Sequence, residues 1–138
     1  MSRNPSGFTL IEILVVVVVI AILATLVAPN VFRHVGTARV TTAKAQIEML
    51  GAALDAYRLD VGRYPTAEEG LEALWTRSAS ATVGWRGPYL RKSIPLDPWG
   101  HAYEYRVPGA LGAGSYELLS LGADGREGGE GDDADVSG

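Results

Sequence analysis

Residues Phe8 to Ala28 form an apolar run that carries one charge, the carboxylate of Glu12. As a helix these 21 residues span about 31 Å, enough to cross the hydrocarbon core of a bilayer. The alternative is a secretory signal peptide with Arg3 as its charged end. The run is long for that, and Pro29 and Asn30 follow it in place of an A-x-A cleavage site. A proline at this point ends or bends a helix, yet the residues beyond it resume a helical pattern.

On insertion scales a carboxylate inside a membrane helix costs up to about 2.5–3.5 kcal/mol, so Glu12 needs a partner. The run contains no lysine or arginine, and Arg3 is the nearest side-chain cation in sequence. Cutting the chain between Gly7 and Phe8 creates a second cation, the α-amine of Phe8, one helical turn from Glu12. Within one chain the two pair weakly. Between staggered copies, the amine of one chain neutralises the glutamate of its neighbour. Buried charge then acts as a register device, because leaving it unpaired is expensive.

Gly7-Phe8-Thr9-Leu10-Ile11-Glu12, preceded by a short leader with Arg3 and followed by an apolar helix, resembles the processing site of type IV pilins and type II secretion pseudopilins. The resemblance implies that a prepilin peptidase cuts after Gly7 and N-methylates Phe8, and that Glu12 guides assembly. Residues 1–7 are then a leader, 8–29 a transmembrane and assembly helix, and 30–138 a periplasmic domain. Charge alone does not set this orientation. Arg33, Arg39 and Lys44 follow the span, against Arg3 and the initiator amine before it, so the positive-inside rule gives no support.

Beyond Pro29, apolar positions fall at Val40, Ala43, Ile47, Leu50, Leu54, Tyr57 and Val61. This spacing of three and four makes one buried face of a helix that ends near Asp60. With the membrane segment it forms a stem of about 75 Å. A second helix is expected in TAEEGLEALW, where Thr66 and Glu69 fit a capping box and Leu71, Leu74 and Trp75 form its buried face. Arg77 to Gly87 reads as a surface loop, and Asp97-Pro98-Trp99-Gly100 as a tight turn. Strands are expected over Ala102–Val107 and Tyr116–Leu121, joined by a glycine-rich connector. The fold class is α+β: a long N-terminal helix packed on a small antiparallel sheet, with an acidic, glycine-rich C-terminal segment.

Arg63-Tyr64-Pro65-Thr66, Glu69-Gly70-Leu71, Leu96-Asp97-Pro98-Trp99-Gly100 and Ser120-Leu121-Gly122-Ala123-Asp124-Gly125 stand in an order that resembles the major pseudopilins of type II secretion, the general secretion pathway protein G family. The type IV pilin-like fold of that family agrees with the α+β reading. Many type IV pilins end in a disulfide-closed loop, which a chain without cysteine cannot make.

Between Asp124 and Asp135 lie six carboxylates and one arginine. Composition alone favours a solvated, disordered tail. Asp124-Gly125 and Asp132-Asp133 could also turn back on one another around a hard cation, with glycines turning carbonyls inward, although the spacing is not that of an EF-hand. The pseudopilin resemblance implies calcium in this loop, with Asp124, Asp132, Asp133 and the carbonyl of Leu121 as ligands. Asp135 is a weaker candidate, and Glu127 and Glu130 are expected to face solvent.

The function implied is a structural one, the major subunit of a periplasmic pseudopilus. As a homopolymer it drives folded exoproteins through an outer-membrane secretin. Its implied partners are minor pseudopilins, an inner-membrane assembly platform, the prepilin peptidase, and membrane lipid before assembly. A type IV pilin, a minor pseudopilin, and a secreted calcium-binding module are the alternatives. A net charge of -4 argues against nucleic acid as a partner. The sequence shows no nucleophile–base pair, phosphate-binding glycine loop or catalytic zinc motif, so no enzymatic activity is expected. His101, beside Trp99 and Tyr103, reads as a packed turn residue, and Asp60 and Glu104 as surface or strand charges.

Overall fold

The computed structural model describes residues 6–81 and 83–138. Arg3 and the rest of the leader up to residue 5 lie outside the described residues, as does Thr82 in the Arg77–Gly87 loop. One helix, α1 (Leu10–Val61), contains both the apolar run and the amphipathic stripe. Thr9 opens it. Its Oγ1 accepts the Glu12 N–H at 3.3 Å, and its carbonyl accepts the Ile13 N–H at 3.2 Å. A threonine at the N-cap satisfies donors that the first turn leaves without partners. Pro29 lies inside the helix and does not end it. Around it, side chains serve as local partners: Thr25 Oγ1 donates to the Ile22 carbonyl at 2.7 Å, and Arg33 donates to Asn30 Oδ1 at 2.8 Å.

The chain divides into two compact units, one ending at Val35 and the other running from Gly36 to Gly138. In the first, every described residue is exposed, and apolar side chains from Phe8 to Val27 are uncovered by the chain itself. An 18-residue window of α1 has a mean hydropathy of 3.2 and none of it is buried.

In the second unit the predicted stripe is the core. Ala43, Ile47, Leu50, Leu54 and Tyr57 are buried, with Val40 and Val61 partly covered at its ends. Against them pack Leu71, Leu74, Leu90, Tyr103, Leu118 and Val136. The sheet has three antiparallel strands in the order β1 (Glu104–Arg106), β2 (Glu117–Ser120) and β3 (Val136–Ser137). In register, Tyr105 faces Leu118, and Ser120 faces Val136. Strands β1 and β2 are shorter than the sequence suggests. β3 arises inside the acidic segment, which therefore returns to the sheet as its third strand. Two tyrosines tie β1 and its approach to the rest. Tyr103 donates to Gln46 on α1, and Tyr105 donates to the Pro65 carbonyl at 2.8 Å. Burial, reinforced by the charge of Asp97, pushes the Tyr103 hydroxyl up to about 12.

The second helix expected in TAEEGLEALW does not form as an α-helix. The capping box is present: Thr66 N–H donates to Glu69 Oε2 at 2.7 Å, and Glu69 N–H donates to Thr66 Oγ1 at 3.2 Å. Gly70 then takes φ 58° and ψ -166°, which leaves the right-handed helical region, and only a 3₁₀ turn follows over Leu71–Leu74. Glu69 acts instead as a tertiary hub. Its side chain is 6% exposed and accepts two hydrogen bonds from Arg63, at 2.7 and 2.9 Å. Ser78 donates to it at 3.0 Å, and Ser80 also donates. The Arg63 guanidinium, aided by these hydroxyls and the Thr66 N–H, outweighs desolvation and holds the Glu69 carboxyl far below the usual carboxylate range.

Candidate functional site

Two regions carry the residues singled out in the sequence. At the N-terminal end, Gly7 and Phe8 precede α1 in exposed, non-helical chain, and Phe8 is 79% exposed. The Gly7–Phe8 peptide is thus outside the hydrogen-bonded helix. Glu12 lies in the first turn of α1. There the positive end of the helix dipole favours a carboxylate by roughly 0.3–1 kcal/mol, less than the cost of placing it in hydrocarbon. Hydrophobic periodicity alone does not mark Thr9 as the helix cap. The Thr9-x-x-Glu12 spacing that marks a capping box was present to reveal it.

The second region is the acidic loop between β2 and β3. Ala123 N–H donates to the Asp132 carbonyl at 2.8 Å, so the backbone brings Leu121–Asp124 alongside Asp132–Asp133. Gly122 permits this approach: at φ 68°, a Cβ on it would lie 2.8 Å from the Ala134 carbonyl oxygen and 2.9 Å from that of Asp132. A 3₁₀ turn over Gly131–Asp133 carries the two aspartates. The Asp132 carboxylate is directed at Gly36 of α1, where a Cβ would come within 2.3 Å of Oδ1. Asp124 Oδ1 accepts the Arg126 N–H at 3.0 Å, and Asp135 Oδ2 accepts the Gly128 N–H at 3.0 Å. Glu127 is exposed and pairs with Arg106, and Glu130 is exposed. Among the described residues, no three Asp, Glu or His side chains gather into a ready ligand cluster. The donors that the loop does bring together, carboxylate and carbonyl oxygens, are of the kind a hard cation takes.

The base of this loop is anchored by residues that sequence reasoning did not connect. Asp97, 4% exposed, accepts N–H groups of Trp99 at 3.1 Å and His101 at 2.7 Å through Oδ1. Its Oδ2 accepts from the buried Ser120 hydroxyl at 2.6 Å, and that hydroxyl in turn accepts the Gly122 N–H at 3.3 Å. His101 Nδ1 lies 3.0 Å from the Gly122 carbonyl. The Asp97–Gly100 turn thus locks the end of β2 to the start of the loop. His101 is a packed turn residue, as its neighbours in sequence imply.

A long N-terminal helix that starts just after an exposed Gly–Phe junction and carries an acidic residue in its first turn, together with a small three-stranded antiparallel sheet, defines a pseudopilin of the type IV pilin-like class. A crystal structure of the major pseudopilin from the type 2 secretion system of enterohaemorrhagic Escherichia coli is similar, with TM-score 0.64 and 32% identity, covering 79% of this chain and 93% of that one. The family described as type II secretion system protein G matches residues 30–138, and the prokaryotic N-terminal methylation motif matches residues 2–28. Type II secretion system core protein G of Pseudomonas aeruginosa is 48% identical over 136 residues, covering 97% of this chain and 94% of that protein. Its namesake from Vibrio cholerae is 44% identical over 136 residues, covering 97% and 91%. The chain belongs to the type II secretion system protein G family.

Proposed function

We propose that this chain is the major structural subunit of a type II secretion pseudopilus. Prepilin peptidase cuts between Gly7 and Phe8 and N-methylates Phe8. The subunit rests in the inner membrane through residues 8–29, with residues 30–138 in the periplasm. An assembly platform draws subunits, together with minor pseudopilins, into a homopolymer that pushes folded exoproteins through the outer-membrane secretin. The role is structural, without catalysis.

The uncovered apolar surface of α1 carries this reading. Fifteen large apolar side chains between Phe8 and Val27 are exposed. At about 1.5 kcal/mol each, leaving them in water costs on the order of 20 kcal/mol, more than the roughly 5–15 kcal/mol that holds a domain folded. They must be covered by lipid before assembly and by neighbouring helices after it. Glu12, matched by the Phe8 amine of the next subunit, sets the stagger. Calcium in the acidic loop is part of the same proposal, with Asp124, Asp132, Asp133 and the Leu121 carbonyl as its ligands. The closure of Leu121–Asp124 onto Asp132–Asp133 supports it. When bound, the ion supplies a cross-link between the two ends of a loop that otherwise carries mutually repelling carboxylates.

Mass spectrometry of the chain purified from its native membrane tests the processing: a mature chain beginning at methylated Phe8 is expected, and an uncut chain that still functions overturns it. A Glu12→Val chain should insert and be cut but enter filaments poorly. Normal filament yield and secretion by that variant would refute the pairing role.

A further inference from the structure

The two peptide groups that flank Gly122 are held by residues that hang from one turn. In the first, between Leu121 and Gly122, the Gly122 N–H donates to Ser120 Oγ at 3.3 Å. In the second, the Gly122 carbonyl lies 3.0 Å from His101 Nδ1, and the Ala123 N–H donates to the Asp132 carbonyl at 2.8 Å. A carbonyl oxygen only accepts, so this Nδ1 carries the N–H of the ring. The polar group of the pair that these contacts do not engage is the Leu121 carbonyl.

Its direction is nevertheless set. The Leu121–Gly122 peptide is trans and planar, so its C=O points opposite to its N–H. With that N–H turned to the fully buried Ser120 hydroxyl, the carbonyl faces away from the buried network.

The hydroxyl has little choice in turn. Asp97, 4% exposed, has Oδ1 engaged by the N–H groups of Trp99 and His101, and its Oδ2 accepts from Ser120 at 2.6 Å. Because the hydroxyl proton goes to Asp97, the Ser120 oxygen meets Gly122 as an acceptor. Asp97 is itself fixed by its backbone: its N–H donates to the His101 carbonyl at 2.8 Å, and its carbonyl accepts the Gly100 N–H at 3.0 Å. Ser120 also stands at the neck of the acidic loop, in register with Val136 of β3. Its backbone closes the loop while its side chain orients the first peptide beyond the strand.

We infer that Ser120 and Asp97 are positioning residues for the cation site: the carboxylate orients the hydroxyl, the hydroxyl holds the Leu121–Gly122 peptide, and the Leu121 carbonyl is aimed before any ion arrives. The inference rests on the calcium reading above and adds residues that set the affinity without touching the ion. A ligand held in place beforehand loses less freedom on binding, and groups that orient metal ligands are typically worth about 10- to 100-fold in affinity.

Isothermal titration calorimetry with calcium chloride, on full-length chains in detergent that circular dichroism shows to be folded, tests this. Ser120→Ala removes the acceptor of the Gly122 N–H. Asp97→Asn keeps the shape of the side chain. Its amide oxygen must stay where two N–H groups converge, so its NH₂ replaces Oδ2 and drives the serine proton toward Gly122. Both variants should bind calcium about tenfold more weakly than the wild type, or worse. Leu74→Val, a core change outside this network, should lower Tm and leave the calcium affinity as it was. In the wild type, the Gly122 amide should be protected from hydrogen exchange without calcium as well as with it.

Wild-type affinity in either folded variant, an equal loss in Leu74→Val, or a Gly122 amide that exchanges freely until calcium is added overturns the positioning role and leaves the calcium site standing. A wild-type chain that gives no binding signal overturns the calcium reading and the positioning role with it.

Discussion

Replacing Glu69 by glutamine changes one atom and should cost the domain a large share of its stability. Every group around the carboxylate is a donor or can act as one. Oε2 accepts from Arg63 and the Thr66 N–H, and Oε1 accepts from Arg63, Ser78 and Ser80. Glutamine keeps one acceptor oxygen and turns the other position into a donor. If its NH₂ takes the Oε1 place, the serine hydroxyls can rotate to accept, but Arg63 cannot. In the opposite orientation the NH₂ meets both Arg63 and the Thr66 N–H. At least one charge-assisted bond is lost, worth about 1.5–3 kcal/mol, and the Arg63 charge loses its counterion. A net loss of about 2–3 kcal/mol corresponds to a fall in Tm of roughly 8–24 °C for a domain of this size. The folded-state carboxyl is held below its unfolded value of about 4.3, so the unfolded chain binds the proton more readily and this stabilisation is present at neutral pH. It is lost as pH falls below about 4.3, and the glutamine variant has none of it to lose. Thermal unfolding of the full chain in detergent, followed by tryptophan fluorescence between pH 3 and 7, reads both effects. A variant that melts with the wild type at pH 7, or shows the same loss on acidification, refutes the hub role of Glu69.

Chelation of calcium should lower the melting temperature of the wild-type chain and expose the acidic loop to protease. An ion bound only by the folded chain would contribute about 2.7 kcal/mol at a hundredfold excess over Kd, and Asp124→Ala should behave like the chelated wild type in the same melt. Identical melting with and without the ion defeats the cation site. Gly122→Ala should open the loop even with calcium present: its Cβ meets two carbonyl oxygens at 2.8 and 2.9 Å, and φ 68° adds about 1–2 kcal/mol of backbone strain. Limited proteolysis between residues 123 and 135 checks this, and wild-type resistance refutes it.

The parts of this fold that were legible in the sequence are those fixed by local periodicity. The Val40-to-Val61 stripe specified a helix face because each apolar residue meets the next one turn away, and the core follows it closely. The turn at Asp97 was likewise encoded by residues that bond within five positions of one another. TAEEGLEALW misled because a capping box is a local arrangement that a turn can satisfy as well as a helix. What decided between them was Gly70 and the long-range demand of Arg63, Ser78 and Ser80 on the same carboxylate. Strand β3 carried no signal of its own: Val136 and Ser137 are strand only because Ser120 and Leu119 pair with them. The link from His101 to Gly122 spans 21 positions and leaves no trace in any window. Of the candidate site, the identity of the acidic residues was readable, whereas the path that brings Ala123 to Asp132 was not.

The same distinction bears on Glu12. Its surroundings within one chain are now explicit: a threonine cap on its own N–H, a favourable helix dipole, and exposed apolar neighbours. The dipole offers roughly 0.3–1 kcal/mol, so a carboxylate in hydrocarbon keeps a deficit of about 2 kcal/mol that these local contacts leave unmet. Before cleavage the Gly7–Phe8 link is an uncharged amide and offers no cation. In the proposed processing, cleavage converts it into an amine four residues from Glu12, and methylation leaves that charge in place. A helix that carries both charges on its first turn can satisfy them weakly by itself or fully against a copy shifted along its axis. In the proposed filament the shifted arrangement also covers the apolar side chains, and an uncut Gly7–Phe8 amide would leave Glu12 without that amine.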